Sequence, residues 1–370
     1  MNNKSVLIAF LGNIHYDSRT SNLYKSLKQE GYSVKVLSFD WLTENVKTTK
    51  GEITVYKLHK GFLSLAYYLK FAVLMKYHLL FTKADFLFAE DIYTLPFVLA
   101  FGKLKKAKVF YDSRELFGYL AGLKKKKIVQ QLLRWIEKIC INKVDKIITT
   151  GEMDSQFLEK EYNVKNTIVI RNLPVFKIID DPFDFRKHYH LKAETKILLY
   201  QGVILHGRGL RIIFDILKNF KDCVLMIIGG GELKNFYEQS AKEKGISDKV
   251  IFMGKVDQKD LFNYTAGADV GLALIENISL SYYYALPNKM FEYILTGVPV
   301  LASNFPQMKQ IIDRFEIGLY ADPENMKDVS LALQKLLYDN DFIKRVKTNS
   351  KLAAKELNWD VEIKKLLTIM

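Results

Sequence analysis

The feature that most constrains this chain is the regular alternation of short hydrophobic runs with helix-like segments. The runs are rich in β-branched residues and almost continuously apolar, for example VLIAF and VFYD in the first half and ILLYQG and VLMIIG in the second. Strands of this kind are buried on both faces, and strands separated by helices form parallel sheets that helices cover. The pattern therefore predicts an α/β fold with doubly wound, Rossmann-like sheets.

The length of the chain and one break in the pattern predict two such domains. With 370 residues, the chain is too long for one ordinary hydrophobic core. A polar, proline-containing stretch with weak periodicity follows RNLPV and is typical of a linker. Two doubly wound domains place a ligand cleft between the carboxyl ends of their sheets. We expect an N-terminal domain over residues 1–176, a linker over 177–194, a C-terminal domain over 195–355 and a final helix over 356–370.

The formal charge of +14 favours anionic partners such as phosphorylated small molecules, acidic lipid or nucleic acid. Nucleic acid is the weakest of these, because the basic residues are scattered and no binding module is recognisable. The two cysteines, Cys140 and Cys223, stand alone in apolar runs, which predicts buried free thiols and a reducing compartment. No signal peptide is apparent, so we expect a cytoplasmic protein.

Two segments of the first half are candidates for contact with a membrane surface. Phe62–Phe81 is long enough to span a bilayer, but Lys70 and Lys76 would each cost roughly 2.5–3.5 kcal/mol near the centre of a span. It is better interpreted as an amphipathic helix, packed in the core or lying on a membrane. Lys124–Lys146 is a basic helix with an aromatic anchor, Trp135. The alternative is a solvated helix face on a lysine-rich protein. An anionic membrane surface, with a peripheral location on its inner face, is therefore one expected partner.

Several glycines follow predicted strands at the same topological position. Gly12, Gly202, Gly229–Gly231 and Gly254 each stand where a strand passes into a loop on the expected cleft side. Glycine allows a phosphate or sugar to approach the backbone, and a following helix N-terminus favours an anion. Tight-turn geometry is the alternative for any single one. None forms GxGxxG with an acid at the required distance, which disfavours a nicotinamide dehydrogenase.

Arg208 lies in the loop of YQGVILHGRGLRIIFD, just before a predicted helix. A cation is poorly placed at a helix N-terminus unless an anion binds there. Its guanidinium is suited to binding a diphosphate through paired hydrogen bonds. The alternative is that Arg208 is simply a solvated residue of the loop.

The segment ALPNKMFEYILTGVPVLAS (285–303) predicts a second phosphate-binding helix start. Pro287 suits the first turn of a helix, and Asn288 and Lys289 follow with backbone donors and an ammonium group. Glu292 lies one turn further along the same face, where a carboxylate can bind the diol of a ribose. A surface pair of Lys289 and Glu292 is the alternative, but the apolar neighbours favour a mostly buried helix.

These segments together resemble the retaining glycosyltransferases of family 4 (group 1), which have the GT-B fold. The resemblance is carried in order by GNIHYDSR, EDIYTLP, FYDSREL, RNLP, QGVILHGRGL, IIGGGE, FMGKV and LPNKMFEYILTGVPVLAS. It implies two Rossmann-like domains facing a central cleft and a C-terminal helix that crosses back to the N-terminal domain.

The resemblance implies a hexosyltransferase-type enzyme that acts with retention and without a metal or other cofactor. It would move a sugar from a nucleotide-sugar donor to a glycan or lipid-linked acceptor, as in envelope polysaccharide or glycolipid assembly. Arg208, Lys289 and Glu292 are the expected catalytic residues. The expected donor site comprises Gly12, Asn13, Gly202, Arg208, Gly230, Gly231, Gly254, Pro287, Asn288, Lys289 and Glu292. The expected acceptor side comprises Arg19, Glu90, Asp112, Arg114 and Glu115.

The chain also departs from the family pattern. Tyr284 stands where the family has the first glutamate of a pair, and Val203 where it has an arginine. Arg114 and Glu90 each replace a histidine found in many members. These changes indicate a subgroup with PNK-FEY in place of paired glutamates. Two further readings are a catalytically weak scaffold subunit of a glycan assembly complex and a nucleotide-sugar epimerase of the same architecture.

Overall fold

A computed structural model describes residues 4–40, 46–59 and 64–370, and the chain divides into two compact units. The N-terminal unit runs to Asn172 and includes Glu362–Met370, whereas the C-terminal unit comprises Leu173–Val361. Each unit contains a largely or wholly parallel sheet with helices between its strands. This confirms the α/β fold expected from the alternation of apolar runs and helices.

The described part of the N-terminal unit contains an eight-stranded sheet. Its strands are β1 (Ser5–Phe10), β2 (Ser33–Asp40), β3 (Val46–Lys50), β4 (Ile53–Lys57), β5 (Phe86–Ala89), β6 (Lys108–Ser113), β7 (Lys146–Thr149) and β8 (Thr167–Val169). Their order is β3-β4-β2-β1-β5-β6-β7-β8. All neighbours are parallel except β3, which pairs antiparallel with β4. Its helices are α1 (Ser18–Gln29), α2 (Ser64–Phe81), α3 (Leu95–Lys105), α4 (Lys127–Ile141) and α5 (Glu152–Tyr162).

The C-terminal unit contains a six-stranded, fully parallel sheet of order β11-β10-β9-β12-β13-β14. The strands are β9 (Lys196–Gln201), β10 (Cys223–Ile228), β11 (Val250–Gly254), β12 (Val270–Ala273), β13 (Val300–Ser303) and β14 (Gly318–Ala321). All six residues of β10 are buried, as expected for a strand covered on both faces.

The helices of this unit lie between and after its strands. They are α6 (Phe185–His188), α7 (Leu210–Ile216), α8 (Lys234–Glu243), α9 (Leu261–Ala266), α10 (Leu280–Tyr283), α11 (Asn288–Leu295), α12 (Pro306–Phe315), α13 (Met326–Tyr338) and α14 (Asn340–Glu356). A last helix, α15 (Trp359–Leu367), begins in the C-terminal unit and ends in the N-terminal one. Helix α11 is almost wholly buried, which fits its apolar sequence.

The predicted linker and the end of the chain are each packed into one of the two units. Residues 177–194, expected to be a linker, contain α6, and its Phe185 is fully buried in the core of the C-terminal unit. The end of the chain is tied into the N-terminal unit by Glu362, whose Oε1 accepts a hydrogen bond of 2.8 Å from the backbone N–H of Arg171. Lys4 also donates to the carbonyl of Met370 at 3.1 Å.

The first predicted membrane-contact segment forms helix α2 over Ser64–Phe81, and its first two residues, Phe62 and Leu63, lie outside the described residues. Among the described residues, no helix combines the length and the hydrophobicity that a bilayer span requires. Cys140 and Cys223 are buried free thiols, as predicted.

Candidate functional site

The candidate site of the C-terminal unit lies at the carboxyl end of β9. This strand has β10 on one side and β12 on the other, so the direction of chain connection reverses beside it. Open α/β sheets leave a ligand-binding crevice at such a point. The predicted glycines Gly202 and Gly254 follow or end strands there with φ of 128° and 75°, and no described atom lies within 4 Å of where a Cβ would stand.

The neighbouring glycines are needed for the packing of the backbone. A Cβ on Gly229 would lie 2.0 Å from the carbonyl oxygen of Gly202, and one on Gly231 would lie 2.3 Å from that of Ile204. Gly230 has more room, with the side chain of Lys255 at 3.5 Å. Gly229 and Gly231 therefore allow two loops to lie against each other at the strand ends.

Lys289 lies in the first turn of α11 with only 8% of its surface exposed. Its ammonium is 4.0 Å from the centroid of the Tyr200 ring, and Nζ has no hydrogen-bond partner among the described residues. Burial and the positive charge of Arg208 hold the pKa of Lys289 well below its ordinary value, although Glu292 opposes the shift. A buried ammonium without a partner is costly, and an anion would satisfy it.

Arg208 supplies the second cation of this site. It lies two residues before α7, partly buried, with its guanidinium carbon 4.6 Å from the centroid of the Tyr282 ring. Its Nε is buried and has no hydrogen-bond partner in the described part of the chain. Arg208, in a loop, and Lys289, at the start of α11, are 81 positions apart in sequence, and the charge of Arg208 helps to lower the pKa of Lys289. Two such cations can hold a group that carries more than one negative charge.

Glu292 is held in place by two linked side-chain hydrogen bonds. The side-chain N–H of Gln201, the last residue of β9, donates to its Oε2. The carbonyl oxygen of the same amide accepts a 2.8 Å hydrogen bond from the hydroxyl of Thr265, which is fully buried. Burial raises the pKa of Glu292, while Gln201 and Lys289 act against the rise. No other described residue donates a hydrogen bond to this carboxylate.

Helix α11 begins one residue later than the proline signal predicted. Pro287 is the N-cap residue with extended backbone, and its carbonyl accepts a 2.9 Å bond from Met290, so the first helical residue is Asn288. The expectation that Pro287 lies in the first turn is therefore wrong by one position. Proline lacks an N–H in either place, and Asn288 and Lys289 still carry the free amides of the helix start.

In the N-terminal unit, Gly12 and Asn13 follow β1. The side chain of Asn13 donates to Asp40 at 2.9 Å and caps a short 3-10 turn by accepting from the backbone of His15. The carbonyl of Gly12 accepts from the hydroxyl of Ser38. A Cβ on Gly12 would lie 2.3 Å from the ring of Phe10, so a larger residue here would require this ring to move.

Arg114, just after β6, is the centre of a buried ionic network. Its guanidinium donates to Asp17 at 2.8 Å, to the hydroxyl of Thr20 at 2.5 Å and to Glu90, and it lies 4.8 Å from the ring centroid of Phe10. Glu90 is fully buried, and its Oε1 has no partner among the described residues. Burial raises the pKa of Glu90 to about 7, although Arg114 opposes the shift.

Arg19 and Asp112 form a second buried pair next to this network. Nε of Arg19 donates to Oδ2 of Asp112 at 2.6 Å and its NH2 donates to Oδ1 at 3.0 Å. A third bond of 2.8 Å runs to the carbonyl of Ile170. Of the five expected acceptor-side residues, four therefore lie together and bond mainly to one another, whereas Glu115 is exposed. Their role toward an acceptor stays a prediction.

The sequence did not point to Gln201, Thr265, Tyr200, Tyr282 or Asp17. One signal was available: Gln201 is a polar residue at the end of an otherwise apolar strand, directly before a glycine. A polar residue there can be explained by a ligand site at the strand end. The described residues contain no group of three potential metal ligands, and the expected metal independence stays a prediction.

Comparison with known proteins matches residues 182–353 to the family described as glycosyl transferases group 1. An uncharacterized glycosyltransferase of Methanocaldococcus jannaschii is 22% identical over 185 residues, which is 49% of this chain and 46% of the relative. Chitobiosyldiphosphodolichol beta-mannosyltransferase of Debaryomyces hansenii is 22% identical over 407 residues, covering 96% of this chain and 85% of the relative. In the first three curated matches the aligned part is 46%, 61% and 54% of the relative, so the chain spans about half of their length.

Solved structures share the fold over almost the whole chain. Sucrose-phosphate synthase of Thermosynechococcus elongatus superposes with a TM-score of 0.83 at 17% identity, covering 99% of this chain and 98% of that one. HepE of Anabaena in complex with UDP-glucose gives a TM-score of 0.72 at 13% identity and covers both chains completely. The chain thus has the GT-B fold of these proteins, and within it residues 182–353 are similar to the glycosyl transferases group 1 family.

Proposed function

We propose that this protein is a glycosyltransferase that takes a sugar from a nucleotide-sugar donor bound by its C-terminal unit. The observation that carries the proposal is the buried ammonium of Lys289, which lacks a hydrogen-bond partner among the described residues and lies near the second cation, Arg208. A diphosphate would satisfy both groups. Glu292 lies one turn further along α11 and is oriented by Gln201; its carboxylate would accept hydrogen bonds from a ribose diol.

The charges of these residues suit the leaving group of the reaction. When the bond between the sugar and the diphosphate breaks, the electron pair stays on the diphosphate and positive charge develops on the sugar. Arg208, Lys289 and the first amides of α11 would stabilise the departing diphosphate, more strongly than in water because the site is partly desolvated. In the proposed front-face transfer, the acceptor oxygen bonds to the anomeric carbon and its proton passes to the leaving phosphate oxygen.

Retention of anomeric configuration is a further part of this proposal. It rests on the sequence, where no carboxylate stands at an evident nucleophile position. The relative from Debaryomyces hansenii is named a beta-mannosyltransferase, so the linkage formed by this chain must be measured on its own product. Proton NMR of the initial product would decide: the anomeric configuration of the donor sugar should be conserved, and its inversion would exclude front-face transfer.

The acceptor is proposed to be a glycan or a lipid-linked sugar that meets the N-terminal unit near Arg19, Glu90, Asp112, Arg114 and Glu115. Four of these residues lie together at the carboxyl ends of β1, β5 and β6. Because β1 has β2 on one side and β5 on the other, these strand ends form the switch point of this sheet. A polar network at that point can present hydroxyl-binding groups to a sugar.

A thermal-shift screen of the whole chain tests the donor proposal. UDP, GDP, dTDP, ADP and CMP are compared, since a ligand that binds only the folded protein raises its unfolding midpoint. One nucleoside diphosphate should raise it clearly. Glu292→Ala should weaken that nucleotide by about 10- to 150-fold, the equivalent of a charge-assisted hydrogen bond of roughly 1.5–3 kcal/mol. Arg208→Ala should act in the same direction.

Glu356→Ala is the matched control, because this acid pairs with Arg314 at an exposed position of the same unit. Its nucleotide affinity should equal that of the wild type. If no nucleotide shifts the midpoint, the donor proposal is wrong and the scaffold interpretation takes its place. If a nucleotide sugar is converted to its epimer without any acceptor, the protein is an epimerase.

Gln201 is expected to act by positioning Glu292. Gln201→Leu should reduce nucleotide affinity about fivefold or more, because the carboxylate loses the donor that orients it, a hydrogen bond worth roughly 1 kcal/mol or more. The variant should also lose discrimination between a nucleoside diphosphate and its 2′-deoxy analogue, measured by calorimetric titration. Thr265→Val removes only the hydrogen bond from Thr265 to Gln201, so it should reduce nucleotide affinity less. Unchanged discrimination in Gln201→Leu would show that Glu292 does not bind the ribose.

A further inference from the structure

Helix α4 packs in the N-terminal unit with its single acidic residue, Glu137, on the buried side. Glu137 is almost completely buried and accepts hydrogen bonds from the hydroxyls of Tyr111 at 2.7 Å and Tyr162 at 2.9 Å. Leu133 and Cys140, on the same side of the helix, are also buried. Two tyrosines from β6 and α5 thus determine which side of α4 faces the sheet, because turning the helix would leave a buried carboxylate without partners.

The opposite side of α4 is apolar and exposed. Ile128, Leu132, Trp135 and Ile139 are spaced by four, three and four residues, which places them on one side of the helix. Their surfaces are 82%, 51%, 58% and 41% exposed, respectively. A surface helix normally turns its polar side outward. These four residues form the α4 stripe.

Helix α2 shows the same arrangement. Tyr67, Phe71, Met75 and Leu79, spaced by four, are buried. The exposed apolar residues on the other side form the α2 stripe, which consists of Leu65, Leu69, Val73, Tyr77 and Leu80. Two helices of one unit therefore each expose an apolar stripe, and exposed apolar surface of this kind marks an interaction site.

The two stripes lie on helices that cover the same face of the sheet. The connections β4 to β5, β5 to β6 and β6 to β7 all cross the sheet in one direction, so right-handed crossovers place α2, α3 and α4 on one face. Helix α3 packs against both α2 and α4. Lys105 of α3 also donates to the carbonyls of Leu79 at 2.5 Å and Leu80 at 2.7 Å, which ties the ends of α2 and α3 together.

The charge of this face has one sign. Helices α2, α3 and α4 contain a single acid, the buried Glu137. Exposed lysines border the stripes at Lys70, Lys76, Lys103, Lys124–Lys127 and Lys138. A second copy of this chain would bring the same positive charges together across a two-fold interface, which disfavours self-association. The partner must be apolar in its interior and negative at its surface.

We propose that the α2 and α4 stripes with their bordering lysines dock this protein onto an anionic lipid bilayer. The apolar side chains would enter the boundary between headgroups and acyl chains. The lysine stems can cover apolar surface while their ammonium groups reach the acidic headgroups. This inference is independent of the donor site, because docking requires no nucleotide.

Vesicle flotation with the full chain tests the proposal. We expect binding to phosphatidylcholine vesicles that contain about 30 mol % phosphatidylglycerol, weaker binding at high salt and little binding to phosphatidylcholine alone. Leu132→Ser combined with Trp135→Ser should weaken binding about tenfold or more. Replacing Lys124–Lys127 by glutamine should reduce the dependence on the acidic lipid. The matched control is Phe236→Ser with Leu352→Ser, two exposed apolar residues of the C-terminal unit, which should bind like the wild type.

Trp135 gives an independent readout, because its fluorescence should shift to shorter wavelength when its exposed ring enters the bilayer. Trp135→Phe should remove that shift and keep most of the binding. All samples carry Trp41→Phe, because Trp41 lies outside the described residues, and Trp359 is buried and should not respond. The proposal is wrong if anionic vesicles are not bound by the folded chain or if both vesicle types bind equally. It is also wrong if the chain is a dimer in solution that Leu132→Ser with Trp135→Ser converts to a monomer.

Discussion

In the nucleotide-free protein, Lys289→Met is expected to raise the midpoint of thermal unfolding by several degrees while weakening nucleoside diphosphate binding by about 10- to 150-fold. The buried ammonium lies on the Tyr200 ring and has no hydrogen-bond partner among the described residues. Methionine has a similar volume and packs well on an aromatic ring. Replacing buried ionic groups by apolar ones of similar volume often stabilises by about 1–4 kcal/mol. Calorimetry and titration of the same samples measure both effects.

The same residue predicts a dependence of stability on pH. Burial and Arg208 lower the pKa of Lys289 in the folded protein, whereas the unfolded chain has the ordinary value of 10.5. Between these two values the unfolded chain binds more protons, so the free energy of unfolding rises with pH across that window. This contribution to the slope should vanish in Lys289→Met. Nucleotide affinity should fall over the same window, because the anion binds the protonated amine.

Lys309→Met is the matched control for this prediction. Lys309 also lies over a tyrosine ring of the C-terminal unit, 5.1 Å from the Tyr320 centroid, but it is exposed. Its replacement should change stability by no more than about 0.5 kcal/mol and leave nucleotide affinity unchanged. A clear loss of stability in Lys289→Met would mean that the ammonium has a stabilising partner in solution, and the anion site would have to be abandoned.

Arg114→Met is expected to destabilise the N-terminal unit by about 3–5 kcal/mol, because it leaves the buried carboxylate of Glu90 without its cation. Asp17 loses the same partner. Burial opposes the ionisation of Asp17, but Arg114 and hydrogen bonds from Thr20 hold its pKa below the usual range. Adding Glu90→Gln should recover part of the loss, since the buried charge is then removed. The midpoint of the calorimetric transition of this unit is the quantity to compare.

Arg134→Met provides the control for Arg114. Arg134 also lies over an aromatic ring, that of Tyr119, and pairs with Glu161, but both side chains of this pair are 30% exposed or more. Such pairs contribute about 0–1 kcal/mol. If Arg114→Met unfolds at the wild-type midpoint while sugar transfer is lost, the guanidinium serves the acceptor and the network does not stabilise the unit.

The fold could be predicted because its signals are local. A run such as CVLMII, with six apolar residues in succession, fits a central parallel strand and little else, and β10 is buried at all six positions. Two residues of the proposed donor site could also be predicted, since Lys289 and Glu292 are separated by three residues on one helix and their proximity follows from helical periodicity. The exact start of helix α11 could not be predicted, because proline occurs both at the N-cap and at the next position.

The partners of these residues could not be predicted from the sequence. Gln201 and Glu292 are 91 positions apart, and Thr265 is 64 positions from Gln201. Contacts across such separations depend on which strand ends become neighbours in the sheet. The same holds for Arg19 and Asp112, 93 positions apart, which were expected individually and were not expected to pair.

By itself, the sequence determined that this protein is built from two parallel α/β units and that one helix start carries a lysine and an acid suited to a nucleotide. It also predicted a basic, amphipathic α4. Periodicity could not show which side of that helix faces the sheet, because the apolar residues on both sides are similar. Only the tertiary structure decided this, by bringing Tyr111 and Tyr162 onto Glu137. A buried carboxylate that requires two donors holds the helix so that Trp135 faces outward.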